Sequence, residues 1–224
     1  RLAKYKDLHK GERCVIIGNG PSLNKTDVSK IKDEYTFGMN RIYLAFPDWG
    51  FETSYFTSVN DLVIEQCAAD IEKLSMPKFL AWRSHGHLNS IDQTMFLHTT
   101  YYNPKFSNDV RRRVWESATV TYVTLQLAYY MGFSEVILIG VDHSFSSKGD
   151  PNTTIVSAGD DPDHFNAEYF GKGFRWQLPD LDTSELGYAL ARQAFEADGR
   201  RVIDATIGGK LAIFPKADYD VLFS

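Results

Sequence analysis

Cysteine is scarce in this chain, with Cys14 and Cys67 the two thiols in 224 residues. Two thiols build neither a disulfide scaffold nor a four-ligand zinc site. Cys14 sits inside an apolar run and reads as a buried thiol in a reducing compartment. No apolar run approaches the ~18 residues a membrane-spanning helix needs, and no charged-apolar-small leader opens the chain. We therefore expect a cytoplasmic protein that is not transmembrane. The first residue is Arg1 rather than Met, which leads us to expect an excerpt of a longer protein. Positive charge is also short: 24 Lys and Arg face 29 Asp and Glu, a formal net charge of −5. Without a basic field a general nucleic-acid binder is disfavoured. Three signatures are missing as well. There is no G-x-G-x-x-G fingerprint, no glycine loop ending in Lys-Ser/Thr, and no G-x-S-x-G nucleophile elbow.

What is present is an alternation of short apolar runs and amphipathic stretches. Residues 1–12 are basic and polar and read as a short lead-in helix or arm. Strands are predicted over 13–17, 35–39, 54–59, 78–82, 96–102, 135–140 and 201–204. A helix following 60–61 places Val63, Cys67, Ile71 and Leu74 on one face. Another over 117–131, with Ser117 as its N-cap and Gly132 at its end, is apolar over so broad a surface that it belongs in the core. A third opens at Asp182 or Thr183 and closes at Gly199. Residues 144–162 are rich in Ser, Gly, Asp, Asn and Pro and read as a mobile lid. Strands alternating with helices give an α/β fold: a single Rossmann-like domain over 1–224, its mostly parallel sheet flanked by helices.

Several strands end in the same way, with aliphatics, then glycine or a turn, then short polar residues. The first runs Val15-Ile16-Ile17-Gly18-Asn19-Gly20-Pro21-Ser22. The others end in Asn40-Arg41, Ser58-Val59-Asn60, Gly140-Val141-Asp142 and Thr206-Ile207-Gly208-Gly209, with Thr119 near the start of the long helix. Open α/β sheets bind ligands outside the carboxyl ends of their strands. These residues therefore form a candidate nucleotide or nucleotide-sugar site, in which glycines let a ligand approach without meeting a Cβ. Asn, Ser and Thr also cap helices and satisfy turns, so each is weaker evidence alone than together.

The I-I-G-N-G-P-S-L start, the Asn after the second strand, the Ser/Thr-initiated apolar helix, E-V-I-L-I-G-V-D and a downstream aromatic-flanked His resemble the bacterial CMP-sialic-acid sialyltransferases. The same skeleton resembles the 6-hydroxymethylpterin diphosphokinase-like family, whose bacterial members the H-F-x-x-x-Y-F-G-K-G and A-T-x-G-G-K-L segments match best. The resemblance covers about residues 12–215. It implies a transferase in bacterial glycan assembly, with a nucleotide-activated sugar (CMP-linked first) as donor, a glycan as acceptor and no obligatory metal. The nucleotide would lie against Gly18, Asn19, Gly20, Pro21, Ser22, Asn40, Asn60 and Thr119, with Gly140 and Asp142 toward the phosphate and Thr206 on the same edge. His164 falls where the sialyltransferases carry their proposed general base, a role that suits an imidazole with a pKa near ~6.5. Asp163 beside it is the candidate to steer it.

The chain departs from that pattern where the sialyltransferases place tyrosines near the leaving phosphate. Residues 143–145 read His-Ser-Phe and 146–160 hold no tyrosine, so Tyr169, Lys172 or Arg175 is the substitute. Two alternatives stay open. One is a pyrophosphokinase using ATP and magnesium on a pterin-like alcohol, with Asp142 as cation ligand and Asp160, Asp161 and Asp163 as helpers; the same acidic run also reads as a solvated loop. The other is a catalytically silent nucleotide-binding domain of a larger glycan-synthesis protein. A homo-oligomer is compatible with either. Arg111-Arg112-Arg113 reads as a solvated charge run, and His85 and His87 lack identifiable metal partners.

Overall fold

The computed structural model describes residues 1–224. Strands β1 (Arg13–Ile17), β2 (Tyr35–Met39), β3 (Tyr55–Ser58), β4 (Lys78–Ala81) and β5 (Thr94–Leu97) follow one another along the chain. Short pieces β6 (Thr99–Thr100) and β7 (Val114–Trp115) pair with each other before β8 (Glu135–Ile139). Strands β9 (Thr154–Val156) and β10 (Arg175–Gln177) form a separate antiparallel pair, and β11 (Arg201–Asp204) comes last. The helices are α1 (Phe46–Trp49), α2 (Asp61–Lys73), α3 (Val120–Tyr130), α4 (Leu181–Ala197) and α5 (Tyr219–Leu222). None is long and apolar enough to cross a membrane.

Seven strands make one parallel sheet in the order β11-β8-β1-β2-β3-β4-β5. The chain builds outward from β1 to β5, then crosses back to place β8 on the other side of β1. That reversal makes the β1–β8 boundary the topological switch point, where adjacent loops leave in opposite directions and open a crevice. Burial on both faces explains the unbroken aliphatic runs. In β1, Cys14 and Ile16 pack into one core with α3 residues such as Val123 and Leu127, while Val15 and Ile17 pack into the other with Val63 and Ile71 of α2.

Local chemistry shifts several predicted boundaries. Helix α3 begins at Val120 with Thr119 as its cap, two residues later than the expected Ser117 cap. Ser117 and Ala118 have φ of 42° and 59°, and the Ser117 hydroxyl donates to the Thr183 carbonyl at 2.6 Å. Of the two readings of the lead-in, the helical one holds at its start, with a short 3-10 helix over Leu2–Tyr5, and the segment packs on the domain: Tyr5 and His9 are buried, His9 stacking on Phe133 with Nε2 2.6 Å from the Tyr55 hydroxyl. The segment expected as a lid contains β9, which pairs with β10. Two paired three-residue strands escape a search for hydrophobic periodicity.

Candidate functional site

The loops after β1 and β8 are interlocked by their glycines. A Cβ on Gly18 would stand 2.3 Å from the Gly140 carbonyl oxygen, and one on Gly20 would stand 1.9 Å from Asp142 Oδ2. Gly140 has φ +67° with Leu23 packed where its side chain would be. The glycines thus admit the neighbouring loop rather than a ligand, which corrects the reason expected from the sequence. Asp142 completes the joint: its carboxylate accepts from the Ser22 amide at 3.2 Å and hydroxyl at 2.6 Å.

This joint forms the floor of a crevice with two lobes. The first, about 160 Å³, is lined by Gly18, Asn19, Gly20, Asn40, Thr119, Gly140, Asp142 and His164 among others. The second, about 420 Å³, runs toward β3 and β4 and includes Asn60, Arg83, Glu116 and Trp176. Asn40, Thr119, Phe145 and His164 belong to both walls. Together the lobes reach the size of small-molecule sites, roughly 300–1,000 Å³.

Polar groups in the first lobe are held in set orientations. The Asn19 amide nitrogen donates to the Met39 carbonyl at 3.1 Å, while its Oδ1 is buried without a partner. Asn40 follows β2 at φ +51°, a conformation asparagine tolerates, and its Oδ1 accepts from Ser58 at 3.0 Å. Helix α3 starts at the lobe, with the Thr119 hydroxyl capping the Thr121 amide and lying 3.3 Å from the Tyr188 hydroxyl. His143, at φ +53°, contacts Glu185 of α4 through Nε2 at 2.9 Å. Left-handed residues at 40, 118 and 143 line one crevice, with a fourth, Ser117, buried beside Ala118, as strained backbone does at functional sites.

His164 is clamped on two sides. Its Nδ1 lies 2.8 Å from Asp161 Oδ2, and its ring stacks on Tyr169 at 4.0 Å with a 7° interplanar angle. Both partner side chains are well buried, Asp161 at 4% exposure. An ionised carboxylate only accepts, so in the neutral ring Nδ1 carries the proton and Nε2 keeps the lone pair. Asp161, not the adjacent Asp163, is therefore the orienting acid. Asp163 instead accepts from the Ser146 amide at 2.6 Å and the Ser147 hydroxyl at 3.0 Å. Burial pushes Asp163 up, but the hydrogen bonds from Ser146 and Ser147 outweigh it and hold the carboxyl below its usual range. Neither acid belongs to a solvated loop.

Other expected residues stand elsewhere. Pro21 begins a tight turn over Pro21–Lys25, and Ser22 is buried against Asp142. Thr206 is buried with its hydroxyl accepting from the Val141 amide at 3.1 Å. Asn60 caps α2 through its Oδ1. Tyr169 lines the first lobe, but its hydroxyl accepts from the Arg41 amide at 3.4 Å and burial pushes its pKa up. Its ring supports His164 rather than offering a free phenol to phosphate. Lys172 is exposed and Arg175 pairs with Glu65 at 2.9 Å, both away from the two lobes. Tyr188, which no motif or spacing singled out, enters the lobe from α4. For magnesium the donor set is thin: Asp142 is engaged by Ser22, and no three His, Cys, Asp or Glu side chains converge. Magnesium is commonly held by one or two carboxylates together with substrate phosphates, so what the residues lack is an all-protein cage.

Comparison with known proteins follows the same outline. Among solved structures, the chain is similar to one described as the structure of MAf glycosyltransferase from Magnetospirillum magneticum AMB-1, with a TM-score of 0.56. Identity is 13%, over 98% of this chain and 37% of that one, so the likeness is one of fold and this chain spans little more than a third of that protein. No curated protein matches. A family model described as 6-hydroxymethylpterin diphosphokinase MptE-like matches residues 1–148, which include the loops after β1 and β8 but stop short of His164. With most of its length matched, the chain belongs to the 6-hydroxymethylpterin diphosphokinase MptE-like family.

Proposed function

We propose that this chain is a nucleotide-dependent transferase of the glycosyltransferase kind, taking a nucleotide-activated sugar, CMP-linked in the first instance, and passing it to a glycan acceptor. One observation carries the reading: His164, oriented by Asp161, stands on the wall common to both lobes. The lobe at the switch point receives the nucleotide and the lobe toward β4 receives the acceptor. His164 Nε2 takes the acceptor hydroxyl proton as that oxygen attacks the anomeric carbon, and the bond to the nucleotide phosphate breaks. The start of α3 favours the leaving phosphate's charge. Magnesium has no step in this scheme.

A second reading is favoured by the family's description: pyrophosphoryl transfer from ATP to a pterin-like alcohol in the same crevice. A third, nucleotide binding without catalysis, uses the first lobe alone. A thermal-shift panel with CMP, CDP, UDP, GDP and ATP, each with and without magnesium, separates them. A shift with cytidine nucleotides that needs no metal supports the glycosyl reading, and a shift with ATP only in the presence of magnesium supports the kinase. Donor turnover followed as nucleotide release then distinguishes transfer from silent binding. Full kcat in His164→Ala would overturn the base assignment.

A further inference from the structure

The second lobe carries a charge pattern that nucleotide binding does not use. Arg83 lies on its wall, where an arginine would ordinarily offer a hook for phosphate or carboxylate. Here its donors are already engaged. Nε donates to Asp61 at 2.6 Å, one terminal nitrogen to Thr99 at 2.6 Å and to Glu116, and the other to the Val59 carbonyl at 2.5 Å and to Glu116 at 3.2 Å. A guanidinium has five N–H groups, and these bonds use all of them. Glu116 is 5% exposed, so the pair is fixed rather than a mobile surface contact. Asp180 adds a third carboxylate to the same lining, against the single guanidinium of Arg83. Trp176 contributes an aromatic side chain, and Asn152 and Gln177 contribute amides. Carboxylates, amides and an aromatic ring together suit a hydroxyl-rich, weakly polar-faced molecule.

We propose that this lobe is the acceptor subsite and that Glu116, by saturating Arg83, sets its specificity for uncharged or amino-bearing sugars over anionic ones. The word acceptor rests on the transferase reading; the charge selection does not. An anionic sugar entering the lobe meets uncompensated carboxylate charge and finds no free guanidinium donor. Glu116→Gln removes one negative charge and loosens the bidentate hold on Arg83, so it turns the same wall toward anions.

The test is direct binding without nucleotide or turnover, by saturation-transfer NMR titration with methyl galactoside, methyl glucosaminide and methyl glucuronide. It can therefore fail while the nucleotide panel succeeds, and the reverse. The expected result is that the galactoside and glucosaminide bind and the glucuronide binds about tenfold more weakly, with Glu116→Gln closing most of that gap. Should that variant not fold, Asp180→Asn serves, because asparagine retains the cap that Asp180 Oδ1 gives the Thr183 amide at 3.0 Å. It should close the gap in part. Equal or tighter binding of the glucuronide by the unaltered chain overturns the proposal. So does binding of none of the three sugars, or unchanged selectivity in whichever variant folds.

Discussion

At the scale of single residues, the proposed base role depends on which ring nitrogen of His164 faces the crevice. Asp161→Asn loses the ionised acceptor at Nδ1 and lets an amide donate there instead, which turns the ring to the wrong tautomer. We predict a fall in kcat for transfer of roughly 10²-fold or more, with nucleotide affinity almost unchanged. Asp163→Asn should leave kcat near its starting value, because that carboxylate holds Ser146 and Ser147 instead. It should change acid stability. A carboxyl whose pKa is lowered on folding contributes fully above its unfolded value near ~3.9 and loses that contribution as pH falls through the lowered value. The melting temperature of Asp163→Asn should therefore lie below that of the parent at neutral pH and converge with it in strong acid. His164 was singled out through the family resemblance, in which the His is aromatic-flanked, whereas its partner Asp161 was passed over for Asp163. Neighbours in sequence point apart as readily as together, and only the turn that brings residue 161 under residue 164 decides the pairing.

At the scale of elements, the loops after β1 and β8 act as one interlocked piece. Gly18→Ala sets a methyl against the backbone oxygen of Gly140, which cannot move without losing its hydrogen bond from the Gly20 amide at 2.9 Å. A loss of about 1–3 kcal/mol is expected in denaturant unfolding. Gly20→Ala meets a side chain, the Asp142 carboxylate, and should instead push it off Ser22. Its effect should be larger on nucleotide affinity than on stability. The sequence marked these glycines as important but could not say what they approach, because one strand's sequence does not show which loop will lie beside it. The capping of α3 was displaced for a related reason. Ser117 is a good N-cap by type, but its hydroxyl is committed to the Thr183 carbonyl at the start of α4, and Thr119 takes the cap.

At the scale of the whole molecule, the order of the sheet is what turns scattered strand ends into a site. The strands themselves were readable from aliphatic runs, and a parallel α/β fold followed from their alternation with helices. Their lateral order was not readable. Only the placement of β8 beside β1, rather than beyond β5, brings Gly18 to Gly20 against Gly140 to Asp142 and opens the switch point there. The same return of the chain sets α3 with its start at the crevice and carries the segment bearing Asp161, His164 and Tyr169 across its mouth. The central claim is thus positional: a nucleotide lies at the β1–β8 boundary. Titrating the isotopically labelled chain with CMP while following its backbone amide resonances tests that claim most directly. Saturable shifts concentrated at Gly18 to Gly20, Asn40, Thr119 to Thr121 and Gly140 to His143 are predicted. An absence of saturable shifts, or shifts centred on the separate cleft lined by Arg112, Arg113 and Trp115, would contradict it.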